Sequence, residues 1–295
     1  MKVRIGVAVG PGVTDRPQEF FSLVDALEDL GYDSIWVPDI ITTPTFDPLA
    51  ALAAAAGRRQ KLKIGTHLIL PGRNPVLLAK QLATLDQLSD GRLLLLAVLG
   101  LRQPAELAAQ GVAAGDRSAM LEEMLTVMRA LWRGERVTFA GEHVRCDDVQ
   151  LAITPKQDPL EVWLGGQVPA ALRRCGRIGE GWMPGLCTPA EAAEAKTVID
   201  EAAAAAGREV EDEHFGVNIS WVDETISEAV AQSVVARRAD LDPGEVIAVG
   251  SAGLADRIGD FLDVGFSKFV IRPAEPPASW PDAVANVSEV LTLQT

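Results

Sequence analysis

Residues 161–185, EVWLGGQVPAALRRCGRIGEGWMPG, decide how this chain is read. An apolar strand-like run ends in Gly165-Gly166, and Pro169 opens a short helix directly afterwards. Proline at the first helical position gives up only an N–H that has no intrahelical partner, and the free amides around such a helix start suit an anion such as a phosphate. A second pair of glycines, Gly179 and Gly181, turns the chain into another strand at Trp182. Gly165 and Gly166 also fit a plain strand-to-helix turn that needs no ligand.

Working outward, strand-like apolar runs fall at about 3–9, 33–38, 62–70, 92–98, 161–165, 181–183, 214–221 and 268–272. Helical patterns lie between them. Phe20, Phe21, Val24, Leu27 and Leu30 form one apolar stripe, and Leu77, Leu78, Gln81, Leu82, Leu85 and Leu88 form another. A third helix is expected over 117–133, burying Met120, Leu121, Met124, Leu125, Met128 and Leu131, with Asp116 as its N-cap. The Ala-rich segment 188–206 opens with Thr188-Pro189 and closes at Gly207, and further helices fit 226–238, 254–264 and 281–292. Eight alternations over this length favour an α/β fold of the (β/α)8 TIM-barrel type, which takes about 250 residues, as a single domain over 1–295. Residues 134–160 interrupt the rhythm with short polar strand signals and read as an insertion between helix 4 and strand 5, beside the barrel mouth.

The net charge of −14 argues against nucleic acid, whose binding needs clustered Lys and Arg, and against an anionic membrane. Cys146, Cys175 and Cys187 are widely separated, so neither a zinc site nor a disulfide framework is indicated, and no two histidines share metal-ligand spacing. The start MKVRIGVAVG reads as a strand without a cleavable signal, and the longest apolar run, near 93–99, is too short to span a bilayer. A reduced cytoplasmic setting is expected.

Three further blocks, LGYDSIWVPD at 30–39, KIGTHLILPGRNPVLLAKQLATLDQLSDGRLLL at 63–95 and DVGFSKFVIRP at 263–273, together with VWLGGQVPAALRRCGRIGEGWMPG at 162–185, carry a resemblance. In order and spacing they resemble the luciferase-like monooxygenase family, in particular the actinobacterial branch that uses the deazaflavin coenzyme F-420. The resemblance implies a (β/α)8 barrel with a flavin or deazaflavin ring over its C-terminal mouth. The barrel rule independently places an active site at that mouth.

The same resemblance suggests roles for individual residues. Asp39 falls at the family's acid beside the ring, where a desolvated carboxylate can accept a hydrogen bond or move a proton; its plain alternative is an N-cap. Many deazaflavin-dependent relatives carry a histidine next, whereas this chain has Ile40, which cannot act as a base and would instead contact substrate. His67 is the replacement candidate for catalysis and ring contact, set against an ordinary packing histidine. Family members bulge at this point of the third strand, so a non-proline cis bond is expected between His67 and Leu68, both facing the ring. Gly165, Gly166, Gln167 and Val168 match the phosphate loop, although Val168 replaces the usual serine or threonine, and Gly185 and Leu186 line its far side.

Arg73, Arg102 and Arg272 are candidate anion clamps or structural ion-pair partners, with Arg272 taken toward substrate. Trp36 and Trp182 are expected to pack, and His143 and His214 to be surface or structural residues. The fourth strand, LLLLAVLGLRQPAEL at 93–107, lacks the family's glycine-rich ending, so Val98, Leu99 and Leu101 are expected to narrow that edge. The reading is an oxidoreductase passing a hydride between coenzyme F-420 and a small organic substrate, acting in the reductive direction. The alternatives are an FMN-dependent monooxygenase and a barrel without cofactor acting as a binding protein. Since relatives pair, a homodimer is anticipated.

Overall fold

The structure, a computed structural model, describes residues 1–10, 13 and 16–295. In chain order the elements are β1 (Arg4–Ala8), α1 (Pro17–Leu30), β2 (Ser34–Pro38), α2 (Pro48–Arg58), β3 (Lys63–Ile69), α3 (Pro75–Leu88), β4 (Leu93–Val98), α4 (Pro104–Gln110) and α5 (Arg117–Trp132). A hairpin of β5 (Val137–Ala140) and β6 (Arg145–Val149) follows. Then come β7 (Val162–Leu164), α6 (Pro169–Ile178), β8 (Gly181–Trp182), α7 (Pro189–Ala205), β9 (Gly216–Val222), α8 (Glu228–Val235), α9 (Pro243–Val246), β10 (Ile247–Val249), α10 (Gly250–Asp263), β11 (Lys268–Pro273) and α11 (Trp280–Asn286). The chain divides into two compact units, one of residues 1–36 and 162–295, the other of residues 37–161.

In the first unit, β1 pairs in parallel with β2 and β11, β11 pairs in parallel with β9, and β9 carries β10. β7 and β8 pair in parallel, and single bridges from Trp182 to Phe215 and from Gly185 to Asn218 join β8 to the segment of β9. Trp182, Phe215, Phe261 and Phe266 pack edge to face at its centre, with ring centroids 5.8 to 6.0 Å apart. Val222, Val230, Val234, Val246 and Ile247 form a smaller apolar cluster beneath α8. In the second unit, β3 and β4 pair in parallel from Ile64 with Leu93 to Ile69 with Val98, while β5 and β6 pair antiparallel. Trp132 on α5 donates its indole N–H to Ala79 O on α3, fastening the two helices.

Every strand-like run read from the sequence is a strand. The hairpin occupies the segment expected to interrupt the alternation, and β10, only three residues long, is an addition. The α3 stripe is offset from the expected one: Leu77 and Leu88 are 62% and 70% exposed, while Ala79, Ala83 and Asp86 are buried. On α1 the buried set is Phe20, Leu23, Val24 and Leu27, and Leu30 is largely exposed. Asp116 stands at the α5 N-cap but makes no side-chain cap bond, because its backbone is already helical (φ −88°, ψ −18°) and carries the carboxylate away from the free amides. Thr188, by contrast, closes a full capping box with Glu191.

Candidate active site

Asp39 follows β2 directly and is locked to β3 by both its backbone and its side chain. Its N–H donates to His67 O at 3.0 Å, and its Oδ2 accepts from Ile69 N at 3.1 Å and from Arg73 Nη2 at 2.8 Å. Arg73 also donates through Nε to Ile69 O at 2.9 Å, so the guanidinium is held in one plane over the strand end. The side chain of Asp39 is 7% exposed and that of Arg73 30%. Burial pushes the Asp39 carboxyl above its usual range, against the pull of Arg73 and the Ile69 amide. Asp39 is therefore no N-cap; Asp47 caps α2 instead, accepting from Ala50 N. Arg73 takes the structural ion-pair role.

The loop after β2 is braced from beneath by a residue that sequence reasoning missed. Glu106 on α4 is 1% exposed and accepts from Thr42 N at 2.7 Å, Thr42 Oγ1 at 2.6 Å and Ile41 N at 3.3 Å. Burial alone would favour its neutral form, but those three donors outweigh it and hold the carboxyl below its usual range. Asp39, Ile40, Phe46, Ile69, Arg73 and Gln110 are among the residues lining a cavity of about 370 Å³ above this brace.

His67 lies half-buried on β3, with Leu68 fully buried beside it. The expected cis bond between them is absent: among the described residues the cis peptide is Asp158–Pro159. The cause is visible in the ladder, since His67, Leu68 and Ile69 stay in register with Leu96, Ala97 and Val98, leaving no bulge to reverse a peptide. Two residues past β4, Gly100 stands at φ +80°. Arg117, 3% exposed, braces that turn by donating to Leu99 O and Leu101 O at 3.0 and 3.1 Å, and Leu101 turns its side chain outward, 41% exposed.

In the other unit, Gly165, Gly166, Gln167 and Val168 form the expected turn between β7 and α6. Gly166 sits at φ +99°, and a Cβ there would fall 2.9 Å from Ala171 Cβ. Trp182, fully buried, fixes the turn by donating its indole N–H to Gly166 O at 2.9 Å. Among the described residues, no backbone hydrogen bond engages the N–H of Gly166, Gln167 or Val168, whereas Val168 O accepts from Ala171 N and Leu172 N. Val168 occupies the N-cap with its side chain 65% exposed.

The structure brings this turn to Gly185 and Leu186 through two side chains. Gln167 donates to Gly185 O, and Arg238 donates to Gln167 Oε1 at 3.1 Å and to Leu186 O at 3.0 Å. Arg238 is itself anchored by Asp240 at 2.7 Å and Glu191 at 2.5 Å, and these carboxylates raise its pKa. Arg272, at the end of β11, is half-buried and donates to Ser220 Oγ at 3.3 Å; burial, with Arg237 nearby, lowers its pKa. Arg102 is exposed. Trp36 is buried and bonded to Ser34 Oγ. His214 contacts Glu180 O and the Trp163 ring, and His143 belongs to a turn whose amides bind Glu123. Burial raises the thiols of Cys175 and Cys187 to about 12, which removes them as nucleophiles. Among the described residues there is no metal-binding cluster and no helix long and apolar enough to cross a membrane.

Comparison with known proteins places these features in context. The profile of a family described as "Luciferase-like monooxygenase" matches residues 1–258. The chain is similar to an F420-dependent glucose-6-phosphate dehydrogenase of Amycolatopsis mediterranei, with 27% identity over 93% of this chain and 85% of the relative. It is also similar to the protein of that name from Nakamurella multipartita, with 32% identity over 57% of this chain and 52% of the relative, so that match spans about half of each. Among solved structures, an F420-dependent secondary alcohol dehydrogenase in complex with an F420-acetone adduct superposes with a TM-score of 0.82 over 98% of both chains at 21% identity. A likeness of that extent, joined to the alternation of parallel strands and helices, shows the (β/α)8 barrel expected from the sequence.

Proposed function

Because this chain belongs to the luciferase-like monooxygenase family, we propose that it is an oxidoreductase transferring a hydride between the deazaflavin coenzyme F-420 and a small organic substrate. The observation that carries the cofactor reading is the turn at 165–168. Gly166 holds a left-handed backbone with no room for a Cβ against Ala171, no backbone hydrogen bond among the described residues engages the amides of Gly166, Gln167 and Val168, and the turn opens α6. Such a turn fits a phosphate group without any side-chain donor at Val168. Gln167 and Arg238 hold the turn against Gly185 and Leu186, which preorganises the amides before ligand arrives.

When bound, the deazaflavin ring supplies the centre that gives or accepts the hydride. Asp39 offers a desolvated carboxyl fixed by Arg73 and Ile69, able to hold a proton or accept a hydrogen bond at Oδ1. His67 and Leu68 contribute the β3 wall of the ring site, with His67 as the residue that moves a proton. Ile40 presents an apolar surface where a base would otherwise stand, which excludes water and favours reduction over alcohol oxidation. Arg272 contacts the substrate. A cytoplasmic location and a homodimer belong to the same reading, the latter measurable by sedimentation.

Titration of the purified protein with coenzyme F-420 and with FMN, followed by fluorescence, tests the proposal. Micromolar binding of the deazaflavin, weaker binding of FMN and loss of both in Gly166→Val are expected. Tighter binding of FMN would replace the reading with a flavin monooxygenase, and no binding of either would leave a barrel that serves as a binding protein.

A further inference from the structure

Arg272, the last residue but one of β11, is a half-buried cation without an anion. Its Nε donates to Ser220 Oγ at 3.3 Å, while among the described residues neither Nη1 nor Nη2 has a hydrogen-bond partner and no carboxylate lies within ion-pair distance. Both Nη atoms reach solvent-accessible space. Ser220, 8% exposed, stands directly opposite Arg272 in the register of β9 with β11, so the two side chains share one face of the sheet. The other face carries Ile219, Phe269 and Ile271, each at most 2% exposed. The chain has 41 Asp and Glu against 27 Lys and Arg, so a shortage of carboxylates does not explain an unpaired arginine. A second cation stands nearby. Arg237, two residues past α8, donates through Nε to Ser233 O at 3.0 Å and through Nη2 to Ser233 Oγ at 3.1 Å, and among the described residues it too lacks a carboxylate partner. Val230 and Val234 of α8 belong to an apolar cluster against which Ala274, two residues past Arg272, is packed. Burial and then the charge of Arg237 lower the Arg272 pKa, and no acid acts in the opposite direction.

A guanidinium withdrawn from water beside a second one, with no carboxylate to offset either, costs the folded chain free energy. The neighbouring Arg238 shows the contrast, since Glu191 and Asp240 pair with it. We propose that Arg272 and Arg237 form a binding site for the carboxylate of a small organic acid at the C-terminal end of β11. With Nε tied to Ser220, the plane of the Arg272 guanidinium is set, and the edge formed by Nη1 and Nη2 is left to pair with both oxygens of one carboxylate. A neutral ligand would leave both charges uncompensated, and a cation would be repelled. Strand ends of this kind carry the active sites of (β/α)8 barrels, so the carboxylate belongs either to the substrate or to acidic groups of the coenzyme. Its assignment to substrate, which would make the substrate an organic acid, rests on the oxidoreductase reading; the anion site stands without it.

The test uses calorimetric titration of the coenzyme-free protein with benzoate and with benzyl alcohol, which share a ring and differ in charge. Wild-type protein should bind benzoate at least about tenfold more tightly, as charge-assisted hydrogen bonds to a desolvated arginine require. In Arg272→Gln that preference should vanish, and in Arg237→Gln it should shrink. Arg145→Gln, which removes an equal charge from the exposed hairpin strand β6, should leave it unchanged. The urea midpoint of ligand-free Arg272→Gln should equal or exceed that of the parent, because an uncompensated charge has been removed. Equal affinity of the wild-type protein for both probes, binding of neither, unchanged benzoate affinity in Arg272→Gln, or a clear loss of stability in that variant would overturn the proposal. Repeating the titration on protein preloaded with coenzyme F-420 separates the two sources. Undiminished benzoate binding assigns the site to substrate, and displacement, with weaker coenzyme affinity in Arg272→Gln, assigns it to the coenzyme. Wild-type protein that binds benzoate but not coenzyme F-420 would keep the anion site and remove the oxidoreductase reading.

Discussion

Arg73 Nη2 and Asp39 Oδ2 stand 2.8 Å apart, the cation partly in solvent and the carboxylate almost wholly out of it. This asymmetry makes Asp39 the dependent partner. Arg73→Met should leave an uncompensated buried carboxyl, with a loss of about 1–3 kcal/mol in urea unfolding, and Asp39→Asn in the same background should recover most of it. An Arg73→Met protein as stable as its parent would remove the ion pair from any structural role.

Gly166→Ala forces a left-handed backbone (φ +99°) on a residue with a Cβ and presses that atom on Ala171. Anion and coenzyme affinity should fall at least about tenfold, with a stability cost of about 1–2 kcal/mol. Gly207→Ala is the control: its φ is +71° but nothing lies within 4 Å, so it should carry a similar backbone cost and leave affinity unchanged.

Asp86 is fully buried on α3 and accepts from Lys156 N at 2.7 Å, Gln157 N at 2.9 Å and Gln157 Nε2 at 2.6 Å. Replacement by alanine strands three donors at once, and a destabilisation of about 2–3 kcal/mol is expected by urea denaturation. Hydrogen exchange should show the amides of Lys156 and Gln157 losing protection first.

Two carboxyls predict opposing acid responses. Glu106 is held below its ordinary value of 4.5, so the unfolded chain binds the extra proton and stability from this group is complete above 4.5 and lost as pH falls through the folded value. Asp39 is raised above 3.8, so the folded chain retains the proton and its contribution declines as pH rises from 3.8 through the folded value. Urea midpoints from about pH 3.5 to about pH 7 should accordingly lose part of their rise in Glu106→Gln and part of their decline in Asp39→Asn.

The barrel was legible because its strands are continuous apolar runs, and these are long enough to signal strand in every unit but β10. The 165–168 turn was legible too, since glycine before proline at a strand end has few other uses. What stayed hidden is what depends on distance across the fold. Glu106 is a lone acid in a short helix until Thr42 is seen against it, and Gln110 reads as a surface residue until Gly72 and Gly100 are found around it. Arg73 could not be told from Arg102 by type or spacing. The expected reversal at His67–Leu68 failed for a related reason, because the register with β4 is a property of two strands and neither one announces it.

The two glycines packed against Gln110 differ in how replaceable they are. Position 100 opposes the far end of the Gln110 side chain and Ile69 Cδ1, both of which can shift, so what a Cβ there chiefly meets is its left-handed backbone. Position 72 opposes a main-chain carbonyl, which no substitution at 110 removes. Substitution at 100 is therefore open to side-chain adjustment, whereas 72 stays glycine whatever stands at 110.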